Sequence, residues 1–225
     1  MSVLVWAVWL MPAQPVLSRV HGLMLGPAPL ELSRIEGRIW QGSARWRWQR
    51  HAGTLRWQTR WHGLVPGVQL QLQGDLLLSG WLGGRPGKVM VREMDAAVPV
   101  APFVAAMPNV SAEGTVSLRG LSLNWNGRQL QEANGLLGYS GGEISWAQGQ
   151  GALLPALVGT VRQEGAAAIA EARDPDGTLL AEARVENEIA VLRVYRAWPA
   201  LLGVSQGGSP SDVVFETSQP LGSSP

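Results

Sequence analysis

Ala44-Arg45-Trp46-Arg47-Trp48 alternates apolar and basic residues, and the alternation returns at residues 55–61, after His51-Ala52-Gly53. Successive side chains of a β-strand point to opposite faces, so this period of two indicates two strands joined by a turn. We therefore predict a β-hairpin with an apolar inner face and an arginine-rich outer face. The inner face would carry Trp46, Trp48, Leu55, Trp57, Thr59 and Trp61.

The period of two extends on both sides of this hairpin, from Leu30 to Tyr195, and glycine and proline punctuate the short apolar runs. The expected fold class is mainly β: a single curved antiparallel sheet, or an open barrel or sandwich of short strands. Helix is expected only in the hydrophobic N-terminal segment and at Pro99–Met107, where Pro108 ends it. Further strands are predicted at residues 68–73, 76–81, 88–94, 114–118, 121–125, 143–146, 157–163, 166–172, 179–185 and 189–195.

The N-terminal run Ser2–Met11 is apolar, but its length is about half of the roughly 20 residues that a membrane-spanning helix needs. It also lacks the basic region and small-residue cleavage site of a signal peptide. Three interpretations remain: a buried helix, a poor signal sequence, or the end of a membrane anchor that begins upstream of Met1. The chain then divides into an N-terminal hydrophobic segment and linker (1–29), a β domain (30–202) and a Gly/Ser/Pro-rich tail that is predicted to be disordered (203–225).

Composition narrows the function classes. The formal net charge of +1 indicates neither a nucleic-acid binder nor an enzyme for acidic substrates. The chain has no cysteine, which excludes disulfides, thiolate zinc sites and a cysteine nucleophile. Its three isolated histidines do not form a metal set, and it contains no phosphate-binding loop or dinucleotide fingerprint. We expect no cofactor and no enzymatic activity.

Two short motifs resemble catalytic or metal-binding elements, and both are interpreted as turns. Gly138-Tyr139-Ser140-Gly141-Gly142 matches the nucleophile elbow G-x-S-x-G, but a strand is predicted after it where the elbow needs a helix. All three histidines also precede Ser140. Asp174-Pro175-Asp176-Gly177 lacks the remaining acidic ligands of a calcium loop. We predict a glycine-rich hairpin turn at the first motif and a simple turn at the second.

The interleaved arginines and tryptophans of residues 45–61 are the two residue types that bind single-stranded nucleic acid. Such binding needs both types on one face, whereas strand alternation separates them. We interpret them as a tryptophan core with a solvated arginine face. Contact of the arginines with anionic lipid headgroups is the main alternative.

One segment resembles a known family. Gly37, Trp40, Gly42 and Ala44 fit the motif G-T-[VL]-W-x-G-x-A near the start of the periplasmic part of type II secretion system protein N. In that family an L-x-W-x-L-like strand follows, and Trp57 matches its tryptophan. Trp146 matches the tryptophan of a later G-x-[VL]-x-W strand. Leu10-Met11-Pro12-Ala13 is similar to the Leu-Pro-Ala end of the family's membrane helix.

The resemblance implies a non-enzymatic, single-pass protein of the inner membrane with its bulk in the periplasm. Its partners would be other subunits of the type II secretion system, which exports folded proteins across the outer membrane. The resemblance also favours the truncated-anchor interpretation of Ser2–Met11. No nucleic acid and no small-molecule substrate are expected.

A second function class remains open. An antiparallel sheet with one apolar face can hold acyl chains, so the chain can instead be an envelope lipid-handling protein. A closed, well-packed core would favour the interaction role, and a continuous apolar groove would favour lipid. A hydrolase acting through Ser140 is the third and most distant alternative.

Overall fold

A computed structural model describes residues 24–25, 28–105, 109–126, 130–146, 150–186, 189–204 and 207–220. The first part of this chain forms strands β1 (Met24–Leu25), β2 (Ala28–Pro29), β3 (Glu31–Arg38), β4 (Gln41–Trp48), β5 (His51–His62), β6 (Val65–Gly74), β7 (Leu77–Arg85) and β8 (Lys88–Pro99). Helix α1 (Ala101–Val104) and strands β9 (Ser111–Ala112), β10 (Thr115–Trp125), β11 (Leu130–Tyr139), β12 (Gly142–Trp146) and β13 (Gln150–Leu154) follow. The last part contains β14 (Leu157–Glu164), β15 (Ala167–Arg173), β16 (Leu179–Glu186), β17 (Ile189–Tyr195), α2 (Ala197–Leu201) and β18 (Val213–Pro220).

Thirteen of these strands form one sheet in the order β18-β17-β16-β15-β14-β11-β10-β8-β7-β6-β5-β4-β3. Every neighbouring pair is antiparallel, and most strands pair with the next strand along the chain. The chain leaves the sheet twice, after β8 and after β11, and these excursions supply the small sheet β13-β12-β9. Within the described residues the large sheet is open, with β3 and β18 as its two edges. The prediction of a mainly β, antiparallel fold is confirmed, and the predicted N-terminal helix lies outside the described residues. Helix α2 was not predicted, because internal helix was expected only at Pro99–Met107.

The alternation around Trp46 produces the predicted burial. Trp46, Trp48 and Trp57 are buried, while the arginines of β4 and β5 are exposed. The prediction is wrong for Trp61, which is 68% exposed. The reason is strand length: β4 begins at Gln41, opposite Gln58, so the end of β5 extends past its neighbour. The turn also differs, because Trp48 pairs with His51 and the reversal therefore falls on residues 49–50 rather than 51–53.

The internal helix is shorter than predicted. Pro99 still pairs with Thr115 as the last residue of β8, so the helix begins only at Ala101 and ends at Val104. Met107 lies outside the described residues. The ring centroid of Phe103 in α1 lies 5.2 Å from that of Trp48, so this short helix packs against the last residue of β4.

Six strands were not predicted: the two-residue strands β1, β2 and β9, and the longer β11, β13 and β18. The last differs from the disorder expected for residues 203–225, because Val213–Pro220 pairs along β17 from Tyr195 to Ile189. Its apolar start, Val213-Val214-Phe215, provides β-forming residues that the Gly/Ser/Pro-rich composition of the tail concealed.

Candidate functional site: an apolar sheet face

An uncharged row crosses twelve strands of the large sheet. Directly opposed residues of antiparallel strands point to the same face, so the strand register defines which side chains share a surface. Starting in β4, the row runs through Ala44, Leu55, Leu72, Leu78, Ala96, Leu118, Leu137, Gly159, Ala172, Ala181, Val194 and Phe215. We call the side of the sheet that carries this row the apolar face.

A second uncharged row lies beside the first on the same face. It follows the register across bulges at Gly80–Met94 and Leu121–Gly135, where the glycine leaves room for the neighbouring side chain. Its members are Trp57, Leu70, Gly80, Met94, Leu121, Gly135, Val161, Ala170, Ala183 and Leu192. Apart from Trp57 in β5, whose indole N–H already donates to the Arg38 carbonyl, the two rows offer hydrocarbon contact but no side-chain hydrogen-bonding group.

Burial along the apolar face is uneven. Among the non-glycine members of the two rows, only Ala44 and Trp57 are buried, within clusters around the tryptophans of β4 and β5. A third buried cluster joins Leu157 and Leu180 to Ala197 of α2. The remaining side chains of the rows are half-buried, and Leu192 and Phe215 are 39% and 53% exposed. A continuous uncharged surface thus stays open to solvent between the buried clusters.

The opposite face is polar and held by ion pairs. Thr160, Glu171, Glu182, Arg193 and Glu216 are directly opposed across β14 to β18. The Arg193 guanidinium lies 2.7 Å from the Glu216 carboxylate and 3.7 Å from that of Glu182. The sheet is therefore amphipathic across its width.

Glu171 is the most enclosed acid of this polar ladder. Its carboxylate accepts hydrogen bonds from Arg162 at 2.8 Å and from Arg173 at 3.0 Å. These two bonds, with the Arg162 bond the larger cause, lower the pKa of Glu171 below its ordinary value of 4.5. The group remains ionised in neutral solution and ties β14 to β15.

The predicted motif residues near the start of the domain come together at one edge of the sheet. Gly37 adopts φ +95°, a left-handed conformation that suits glycine, just before the β3–β4 turn that contains Trp40. Gly42 lies directly opposite Trp57, and a Cβ on Gly42 would come within 2.4 Å of the indole ring. The indole Nε1–H donates to the Arg38 carbonyl at 3.1 Å. Close approach of Trp57 therefore requires glycine at position 42.

Ala44 completes this group, being 2% exposed and packed with Trp57. Trp146 does not join it, because it lies in the small sheet, where its Nε1–H donates to Gln150 Oε1 at 3.1 Å. The motif residues therefore form a packing unit at β3–β5 and one separate position. These residues do not bring an acid, a base and a nucleophile together, as a catalytic site would.

Ser140 connects backbone segments. Its Oγ accepts a hydrogen bond from the Thr115 N–H at 2.9 Å and donates to the Gly141 carbonyl at 3.1 Å. A strand, β12, follows it, so the strand-turn-helix geometry of a nucleophile elbow is missing. The predicted hairpin turn is wrong, however, since β11 and β12 belong to different sheets and the segment is the corner between them.

The possible calcium motif at Asp174 is a structural turn. Asp174 Oδ1 accepts from the Thr178 N–H at 2.8 Å and the Gly177 N–H donates to the Asp174 carbonyl at 3.0 Å, which confirms a turn. Among the residues that the structure describes, no cluster of three or more His, Asp or Glu side chains can hold a metal ion. Nor is any helix within these ranges both long and apolar enough to cross a bilayer. The anchor predicted at Ser2–Met11 lies outside the described residues.

Sequence reasoning missed the continuity of the apolar face. Leu137 and Gly135 belong to β11, which was not predicted, although Ala133, Gly135, Leu137 and Tyr139 do alternate with their neighbours. The pairing of β11 with β14, across an excursion of two strands, brings Leu137 opposite Gly159 and carries the row into the second half of the sheet.

The comparison with protein families agrees with the family resemblance found in the sequence. The family described as "Type II secretion system (T2SS), protein N" matches residues 28–190, from β2 into the beginning of β17. Neither curated proteins nor solved structures gave a significant match. Because the family match covers most of the chain and includes all the motif residues from Gly37 to Trp146, the chain belongs to the type II secretion system protein N family.

Proposed function

We propose that this protein is a non-enzymatic component of the type II secretion system, anchored in the inner membrane by its N-terminal segment. Its β domain would lie in the periplasm, where it assists export of folded proteins across the outer membrane. The family match over residues 28–190 carries this proposal. The use of Ser140 Oγ in backbone hydrogen bonding supports the non-enzymatic part.

Contact with other subunits would use the amphipathic sheet. The polar face offers fixed charges of both signs, and the apolar face offers a wide uncharged surface. Large exposed apolar surfaces commonly mark interaction sites. We infer that a secretion-system subunit covers part of the apolar face when the machine is assembled.

Gene deletion in the natural host tests the role in secretion. We expect secreted substrates to accumulate, folded, in the periplasm, and a plasmid copy to restore their release. A copy carrying Ser140→Ala should restore release equally well, because no reaction depends on that hydroxyl. Unchanged secretion after deletion would contradict the proposal.

Fractionation tests the anchor separately. The full chain should sediment with inner membranes, and protease added to spheroplasts should digest the β domain. Recovery of the intact chain in the soluble fraction would contradict inner-membrane anchoring without contradicting membership of the secretion machine.

The apolar face favours a second candidate function, the handling of envelope lipids. Its middle offers no side-chain hydrogen-bonding group, which suits an alkyl chain better than a polypeptide, whose backbone groups need partners. Leu137 and Leu136 provide a matched pair, because they are adjacent in sequence and point to opposite faces.

Photolabelling by a diazirine-bearing fatty acid distinguishes the two faces. If lipid binds, Leu137→Glu should lower labelling several-fold, while Leu136→Glu, at a side chain that is 57% exposed on the polar face, should leave it unchanged. Melting curves on both variants verify that each is folded. Equal labelling of the two variants, or none of the wild type, would contradict lipid handling.

A further inference from the structure

The two edges of the large sheet differ in how they are protected. Edge strands expose unpaired backbone groups, and proteins commonly block them with charges or bulges. β3 has both: it carries Glu31, Arg34, Glu36 and Arg38, and a bulge separates Ser33 from Glu36, with Arg34 at φ +47°. Its irregular backbone does not present a straight hydrogen-bonding edge.

β18 has neither form of protection along most of its length. All eight residues are exposed, including Val214 at 42% and Phe215 at 53%. Its register against β17 is regular from Phe215 to Pro220, after one irregularity at its start. Its one charged residue, Glu216, is paired with Arg193 at 2.7 Å. Among the described residues, no strand pairs with its outer side.

We propose that the outer edge of β18 pairs with β18 of a second copy of this chain, antiparallel, about a two-fold axis at Thr217. The choice of axis follows from the strand period. Directly opposed residues of two antiparallel strands point to the same face. The apolar faces of both copies therefore lie on the same side only if apolar-face residues oppose apolar-face residues, which requires the two-fold axis to lie between the two copies of one residue. An axis at Glu216 would oppose two carboxylates, which is destabilising.

The axis at Thr217 avoids that repulsion. It places Thr217 opposite its own counterpart, a favourable cross-strand pair, and sets Phe215 against Gln219 and Glu216 against Ser218 of the second copy. The apolar face, which ends at the exposed Phe215, would then continue without a charge into the second sheet. This edge lies beyond the family match, which ends at residue 190, so the inference is independent of the proposed role in secretion.

Cysteine crosslinking tests the register, because the chain contains no cysteine. Directly opposed residues in an antiparallel pair have Cα atoms about 4.5–5.5 Å apart, within disulfide range. Under mild oxidation, full-length Thr217→Cys should form a disulfide-linked dimer on a non-reducing gel. Thr160→Cys, at an exposed threonine on the central strand β14, should remain at least tenfold less crosslinked.

A mixed experiment identifies the partner residues. Phe215→Cys and Gln219→Cys should crosslink to each other when the two variants are co-expressed, and each should crosslink poorly with itself. Absence of a Thr217→Cys dimer, or equal crosslinking at Thr217 and Thr160, would overturn the proposal. A wild-type chain that stays monomeric at all concentrations in sedimentation would also overturn it. That result is expected if only another subunit pairs with the β18 edge.

Discussion

Trp57 illustrates, at the scale of single residues, how one side chain stabilises the beginning of the domain. Its ring covers Gly42, packs with Ala44, and donates to a backbone carbonyl of β3. Trp61 has the same residue type and the same strand parity, but it lies beyond the end of β4 and is exposed. The difference in burial, not in chemistry, should therefore decide their contributions to stability.

We expect Trp57→Ala to lower the free energy of unfolding by about 3–5 kcal/mol, because it removes a large buried side chain and leaves a cavity. Trp61→Ala should change it by no more than about 0.5 kcal/mol, as is usual at exposed positions. Chemical denaturation of the two variants measures both values. Similar effects for the two tryptophans would contradict the burial difference.

Glu171 should give the stability a specific pH dependence. Its pKa is lowered in the folded protein, so its stabilising contribution is present above the ordinary value of 4.5 and is lost as the pH falls through the lower folded value. Glu171→Gln should lower stability at pH 7 and reduce the loss between pH 5 and pH 3. Urea unfolding of both proteins across about pH 3–7 tests this prediction. Parallel pH curves for wild type and variant would contradict it.

The corner between β11 and β12 shows, at the scale of elements, how a catalytic-looking motif can be structural. Gly141 adopts φ +81°, which lets the chain turn from the large sheet into the small one. The Ser140 hydroxyl holds the corner to the start of β10. A hydrolytic serine would instead need a free Oγ next to a base.

We expect Ser140 to be inert towards a fluorophosphonate probe at neutral pH. Ser140→Ala should lower the free energy of unfolding by about 0.5–1.5 kcal/mol for each of the two hydrogen bonds that the hydroxyl makes. Mass spectrometry of the probe-treated chain and a denaturation curve give the two readings. Stoichiometric labelling of Ser140 would contradict the structural role.

At the scale of the whole molecule, the protection of backbone amides from hydrogen exchange should fall from the centre of the sheet to its edges. Central strands such as β6 and β10 have a hydrogen-bonded neighbour on each side, whereas β3 and β18 have one. Hydrogen exchange should therefore be slowest in β6 and β10 and fastest in β3 and β18. Protection of β18 should rise with protein concentration if its edge pairs with a second copy, while that of β3 should not. Uniform protection across the thirteen strands would contradict the open-sheet architecture.

The alternation of residues determined where most strands of the large sheet lie and which face of those strands is apolar, because the two-residue period is a local property of the extended backbone. From it follow the buried Trp46, Trp48 and Trp57, the exposed arginines and most of the strands of the large sheet. The motif at Gly37 and Trp40 was sufficient to suggest the family.

Only the tertiary structure decided how those strands are joined. Pairing between distant segments, such as β8 with β10 and β11 with β14, sets the register that aligns separate apolar residues into one face. Strand ends leave Trp61 exposed, and a partner strand orders residues 213–220. These features depend on which segments meet in space, and a period within a single segment contains no information about its neighbours.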